Sequence, residues 1–208
     1  MNNFDFISEL ISNEQSTRDI HNKYDYSGEY IDIKDLDAVR KVKIELFNGL
    51  RDILTSNRPI FIICIGTDKS TGDSIGPLTG YKLKNMNQER MIVCGSLEYP
   101  VHALNIEDIH DKLLSSFKNP FFIAIDACLG EYEDIGKIKI SSDPIRPGAG
   151  VGKNIREIGH LSVKAIVGES GWASISSVRL NLTMQFVDII SEAILGINKS
   201  ILEINKTI

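Results

Sequence analysis

The sequence predicts a three-layer α/β/α fold with a mainly parallel central sheet. Two apolar runs, 60–65 and 121–127, read as strands covered on both faces, because neither shows the polar alternation of a half-solvated strand. Stretches with helical apolar spacing alternate with these and with other short strand-like runs, the pattern of β-α-β units. A chain of 208 residues suffices for one full domain with a substantial core.

Residues 1–58 read as an N-terminal segment packed on the core, and 59–208 as the α/β domain proper. Residues 1–30 have weak periodicity. From Asp32 to Thr55, Leu36, Val39, Val42, Ile44, Leu46, Leu50 and Ile53 fall largely at helical spacings among charged residues, so a long amphipathic helix should cover the sheet. The stretch Ile60 to Pro77 then reads as strand, polar loop and helix start, breaking at Gly66, and the helix runs from Ile75 to Asn85. Met91 to Cys94 is a short buried strand. A helix from Ile106 to Phe117 ends before Asn119-Pro120, since the residue preceding proline is biased away from helix. Phe121 to Ala127 is the next strand, apolar until Asp126. Lys and Ile alternate over Gly136 to Ser141, suggesting a strand with one wetter face; Ser162 to Gly168 is another strand, and an apolar-periodic helix spans about Ser174 to Leu195.

Composition narrows the function classes. A net charge of −5 offers no electrostatic reason to expect nucleic acid. Met1 to Glu14 is acidic and polar, unlike a signal peptide, and no run reads as long enough to cross a bilayer, so a cytoplasmic protein is expected. Cys64, Cys94 and Cys128 sit in or at the end of apolar runs without C-x-x-C spacing, which reads as small buried hydrophobes in a reducing compartment.

In an open parallel sheet, ligands bind beyond the carboxyl ends of the strands. Asp68 and Asp73 follow the first core strand and Asp126 ends another, which places these acids on one edge. Two carboxylates held close cannot both ionise easily; one keeps its proton while the other activates water or binds a metal. Each also has a structural alternative: Asp73 as a helix cap, Asp126 as an acceptor for backbone amides of the following turn. Phosphate binding is disfavoured, because five residues separate Gly66 from Gly72 where a Walker A loop has four, and Asp73 stands where its lysine is needed. Gly148-Ala-Gly-Val-Gly-Lys is a second glycine-rich loop, able to form an anion nest or to approach a substrate backbone. His102 follows the strand at 91–94 on the same edge and is a candidate ligand or proton shuttle, with a hydrogen-bonded structural histidine as the alternative. His160 precedes a strand and belongs to the opposite edge, whereas His21 and His110 read as surface residues. Glu98, Glu169, Ser170 and Trp172 are further candidates near strand ends.

Four motifs together, Ile65-Gly-Thr-Asp-Lys-Ser-Thr-Gly-Asp-Ser-Ile-Gly-Pro-Leu, Pro100-Val-His-Ala-Leu-Asn, Ala124-Ile-Asp-Ala-Cys-Leu-Gly and Arg146-Pro-Gly-Ala-Gly-Val-Gly-Lys, carry a resemblance from about Pro59 to Leu195. The chain resembles the YyaC family of sporulation proteins of spore-forming Gram-positive bacteria. That family is similar to the germination protease, which degrades small acid-soluble spore proteins, and more distantly to the hydrogenase maturation endopeptidases. The resemblance implies a phosphorylase/hydrolase-like fold of the maturation-protease type and an endopeptidase of sporulation or germination, cytoplasmic or in the forespore. Asp73, in Asp73-Ser-Ile-Gly-Pro, and Asp126, in Ile-Asp-Ala, match the germination protease's proposed catalytic aspartates. Asp68, Lys69, His102, Gly148, Gly150 and Gly152 would be auxiliary or substrate-binding. The implied partner is a protein or peptide substrate, with small acid-soluble spore proteins as the named class. No cofactor is required in this reading; its alternatives are a divalent metal at Asp73, Asp126 and His102 acting on a small substrate, or a non-catalytic binding module on the same scaffold.

Overall fold

A computed structural model describes residues 26–54, 56, 58–148, 155–169 and 175–205. The strands are β1 (Ser27–Asp32), β2 (Ile60–Cys64), β3 (Met91–Cys94), β4 (Phe121–Gly130), β5 (Lys137–Ser141) and β6 (Leu161–Glu169). They form one six-stranded sheet in the order β1-β5-β6-β4-β2-β3. β3, β2, β4 and β6 are mutually parallel, and β5 is antiparallel to both of its neighbours, so the sheet is mainly parallel as expected. The helices are α1 (Ala38–Leu54), α2 (Ile75–Leu83), α3 (Ile106–Ser116) and α4 (Leu180–Asn205).

Alternation along the strands divides the core between two faces. Ile60, Ile62, Cys64, Ile123, Ile125, Val163 and Ala165 join Val42, Leu46 and Leu50 of α1 and Phe186, Ile190 and Ile194 of α4 in the larger cluster. Phe61, Ile63, Ile65, Phe122 and Ala124 face the other way, against Ile106 of α3 and the Ile145–Ile158 bridge. Helices therefore cover both faces, completing the three layers.

Three expectations change. β1 is an additional strand, with Ile31 buried beneath α1's side of the sheet, so Asp32 and Ile33 extend the sheet rather than open a helix; the Ile33 N–H donates to the Gly136 carbonyl at 3.0 Å. Leu36 is fully exposed in the turn before α1. Finally, residues Leu180–Leu202 of α4 do have the length and composition of a bilayer-crossing helix, but half of that stretch is buried, and its apolar face packs on the sheet.

Candidate active site

The chain leaves β2 for β3 on one side and returns through α3 to β4 on the other, so β2 and β4 are neighbours at the point where the winding reverses. Their carboxyl ends form the crevice in which doubly wound sheets bind ligands. Ile65 prolongs β2: its N–H donates to the Ile125 carbonyl at 2.8 Å, and it bridges to Val101. Gly66 then turns the chain at φ +136°, where a Cβ would stand 1.9 Å from the Asp73 carbonyl oxygen. Only glycine accommodates both the dihedral and that approach.

Beyond it the loop closes on itself. The Thr67 N–H donates to the Asp73 carbonyl at 3.1 Å and to Asp73 Oδ2 at 3.0 Å. Asp73 lies in a 3-10 turn, Gly72–Ser74, that runs into α2, and no side chain caps either start. The carboxylate is thus turned back towards the strand end instead of capping the helix. The Thr71 carbonyl accepts from Ser74 Oγ at 2.6 Å and from Thr183 Oγ1 at 3.1 Å, which fastens the loop to α4.

Asp126 enters from β4. Its neighbours Ile125 and Ala127 point into the larger core, so the Asp126 side chain emerges on the opposite face, and the residue is only 8% exposed. Burial raises its pKa well above the ordinary carboxylate range and the Asp73 charge raises it further, against a hydrogen bond from the Ala127 N–H. Burial also raises Asp73, opposed by the Thr67 N–H and by the charge of His102. Asp126 therefore holds its proton more tightly, and Asp73 ionises first.

The loop beginning at Pro100 brings His102 to this edge. The His102 N–H donates to Asn105 Oδ1 at 2.8 Å, Asn105 Nδ2 donates to the Pro100 carbonyl at 3.0 Å, and the Gly66 N–H donates to the Val101 carbonyl at 2.8 Å. Asp68 and Lys69 lie exposed on the outer turn, and their side chains make no hydrogen bond or ion pair among the described residues. Gly148 takes φ +77°; Gly150 and Gly152 lie outside the described residues, as do His21, Ser170 and Trp172. The stem of that glycine-rich loop runs over α3's face, held by the Ile145–Ile158 bridge and by Arg156, whose N–H donates to Glu107 Oε1 at 3.1 Å. Glu98 is exposed, and Glu169 ends β6.

His160 lies at the opposite edge as expected, accepting the Phe122 N–H on Nδ1 at 3.0 Å. His110 is not a surface residue: its ring packs on Phe122 at 4.6 Å between centroids, and its Nδ1 is buried. The cysteines behave as small hydrophobes; burial raises all three thiols, Cys94 to about 11. Among the described residues no group of three or more His, Cys, Asp or Glu side chains is arranged to hold a metal ion.

Sequence reasoning passed over Lys164, the register partner of Asp126 on β6. The available signal was a lysine, the one charged residue in the mostly apolar run Leu161–Gly168.

Over residues 30–193 the chain matches the family described as Protein of unknown function (DUF1256). It belongs to that family. This DUF1256 protein is 41% identical over 169 residues to the uncharacterized protein YyaC of Bacillus subtilis (strain 168), covering 80% of this chain and 82% of that one. The family match begins inside β1, earlier than the expected start near Pro59, so the second half of the edge strand and all of α1 belong to the shared region. Among solved structures, the chain is similar to the [NiFe] hydrogenase maturation protease HycI from Thermococcus kodakarensis KOD1, at 18% identity and a TM-score of 0.35, covering 68% of this chain and 97% of that one.

Proposed function

We propose that this DUF1256 protein is an endopeptidase of sporulation or germination, acting in the cytoplasm or forespore, in which Asp73 and Asp126 share one proton and flank a water. The observation that carries this reading is the meeting of two acids at the reversal point of the sheet, Asp126 on β4 and Asp73 on the loop after β2, close enough that the charge of Asp73 acts on Asp126. The likeness of Asp73-Ser-Ile-Gly-Pro to the germination protease loop supports the same reaction class.

Ionised Asp73 takes a proton from the water as its oxygen bonds to the peptide carbonyl carbon. Protonated Asp126 gives its proton to the amide nitrogen as the C–N bond breaks, and the pair again carries one proton. The Thr67 N–H, and after it the charge of His102, favour ionised Asp73. No step in this scheme needs a metal.

The test is incubation of the purified protein with small acid-soluble spore proteins and with denatured casein, followed by mass spectrometry of the fragments. D73N and D126N should each lower cleavage by about 10³-fold. Cleavage that survives both substitutions rules the mechanism out.

A further inference from the structure

We infer that Lys164 is a third member of the Asp73–Asp126 site, placed to donate a hydrogen bond to the substrate carbonyl oxygen as negative charge develops there. This rests on the hydrolytic reading above and deepens it. Asp126 and Lys164 are partners on adjacent parallel strands. Val163 and Ala165 point into the larger core, as Ile125 and Ala127 do, so the Lys164 and Asp126 side chains stand next to each other on the opposite face.

Lys164 is the one residue of β6 before Glu169 that is not fully buried. A lysine in the centre of such a strand has an unfavourable desolvation term, normally offset by an ion pair. The lysines of β5 have partners: Lys139, the register partner of Lys164, donates from Nζ to the Gly28 carbonyl at 2.5 Å and stands 4.7 Å from the Tyr30 ring centroid, and Lys137 pairs with Asp134 at 2.9 Å. Among the described residues the Lys164 ammonium makes no hydrogen bond or ion pair, not even with Asp126. Its charge is felt instead at Cys128, two residues further along β4 towards the carboxyl edge. The charged and titratable groups around it are Asp126 and Cys128 on β4 and Lys139 on β5, with Asp73 acting on the far side of Asp126.

A half-buried cation beside a carboxyl that favours its protonated form has no counter-ion until a substrate brings one. As water adds to the carbonyl carbon, the C=O π pair moves onto the oxygen. The ammonium donates a hydrogen bond to that oxygen and keeps its own proton. The C=O bond re-forms when Asp126 protonates the leaving nitrogen. Donors held at a developing oxyanion in a water-poor site contribute more to the transition state than to the ground state.

The experiment compares wild type, K164M, K164R and K139M on small acid-soluble spore proteins and denatured casein, with kcat and KM measured separately and the thermal midpoint recorded for each. We expect K164M to lower kcat about 10²-fold with KM within about threefold, K164R to recover most of the loss, and K139M to stay within about twofold of wild type. Full kcat in K164M, while D73N and D126N abolish cleavage, overturns the role of Lys164 and leaves the aspartate mechanism standing. A loss in K164M that tracks a lowered thermal midpoint and is not recovered by arginine also overturns it. If wild type cleaves neither substrate, the hydrolytic reading and this inference fall together.

Discussion

Asp126 carries opposite demands. A carboxyl whose folded pKa lies above its unfolded value contributes stability that is complete below the unfolded pKa and lost as pH rises through the folded one. At pH 8 the fold therefore bears the burden of an ionisable group it would rather keep neutral. D126N should stabilise the protein at that pH by about 1–2 kcal/mol in urea unfolding while abolishing cleavage. Equal or lower stability would mean that Asp126 is held by favourable partners and is structural. Gly66 makes the complementary case: Gly66→Ala meets both a φ of +136° and the Asp73 carbonyl, so it should lose at least about 2 kcal/mol and displace Asp73. Asp126 was legible in the sequence because a charge ending an apolar run is conspicuous. Lys164 was not, because a lysine inside a strand also fits a wetter face, and only register shows which side chain stands beside it.

Among the elements, β1 was the least legible. Ser-Gly-Glu-Tyr-Ile-Asp buries only Gly28 and Ile31, and an edge strand with so little apolar alternation leaves almost no periodic signal. Tertiary pairing decides it: Tyr30 pairs with Lys139, Ile31 with Ile138 and Asp32 with Lys137 on β5. Ile31 is 4% exposed, and Tyr30 on the other face is 46% exposed. Ile31→Ala should lose about 2–4 kcal/mol, and Tyr30→Ala less than about 1. Comparable losses would mean that β1 is held by its ladder rather than by Ile31 in the core. β2 and β4, by contrast, were legible to within a few residues, since uniform burial writes itself as an unbroken apolar run; β3 was found by its apolar residues too, but it is an edge strand in which only Met91 is buried.

Across the whole molecule two titrations of opposite sense meet. Burial, reinforced by the charges of Arg58 and His110, lowers His160 from 6.5 to about 4. Its ring stacks on Phe121 and Phe122 while Nδ1 accepts a backbone N–H, which protonation at that nitrogen would abolish. A base depressed in this way contributes stability that is present above 6.5 and lost as pH falls towards about 4. Asp73 and Asp126 act the other way, losing stability as pH rises. Urea midpoints from pH 4 to 8 should therefore pass through a maximum; H160Q should flatten the acid limb and D126N the alkaline one. A monotonic profile unchanged by either variant would show that neither group governs stability.

The direct pairing of β2 with β4 has one more consequence. Because Ile65 donates its N–H to Ile125, the residue before Asp126, the root of the loop that carries Asp73 is fixed to the strand that carries Asp126, and a slip between the two would break the centre of the sheet. The Thr67 N–H bonds to Asp73 and the Thr183 hydroxyl bond to the Thr71 carbonyl tie the rest of that loop down. Loosening the Asp73 side of the site therefore means opening the 66–74 loop, with its ties to α2 and α4, and leaves the β2–β4 ladder beneath it intact.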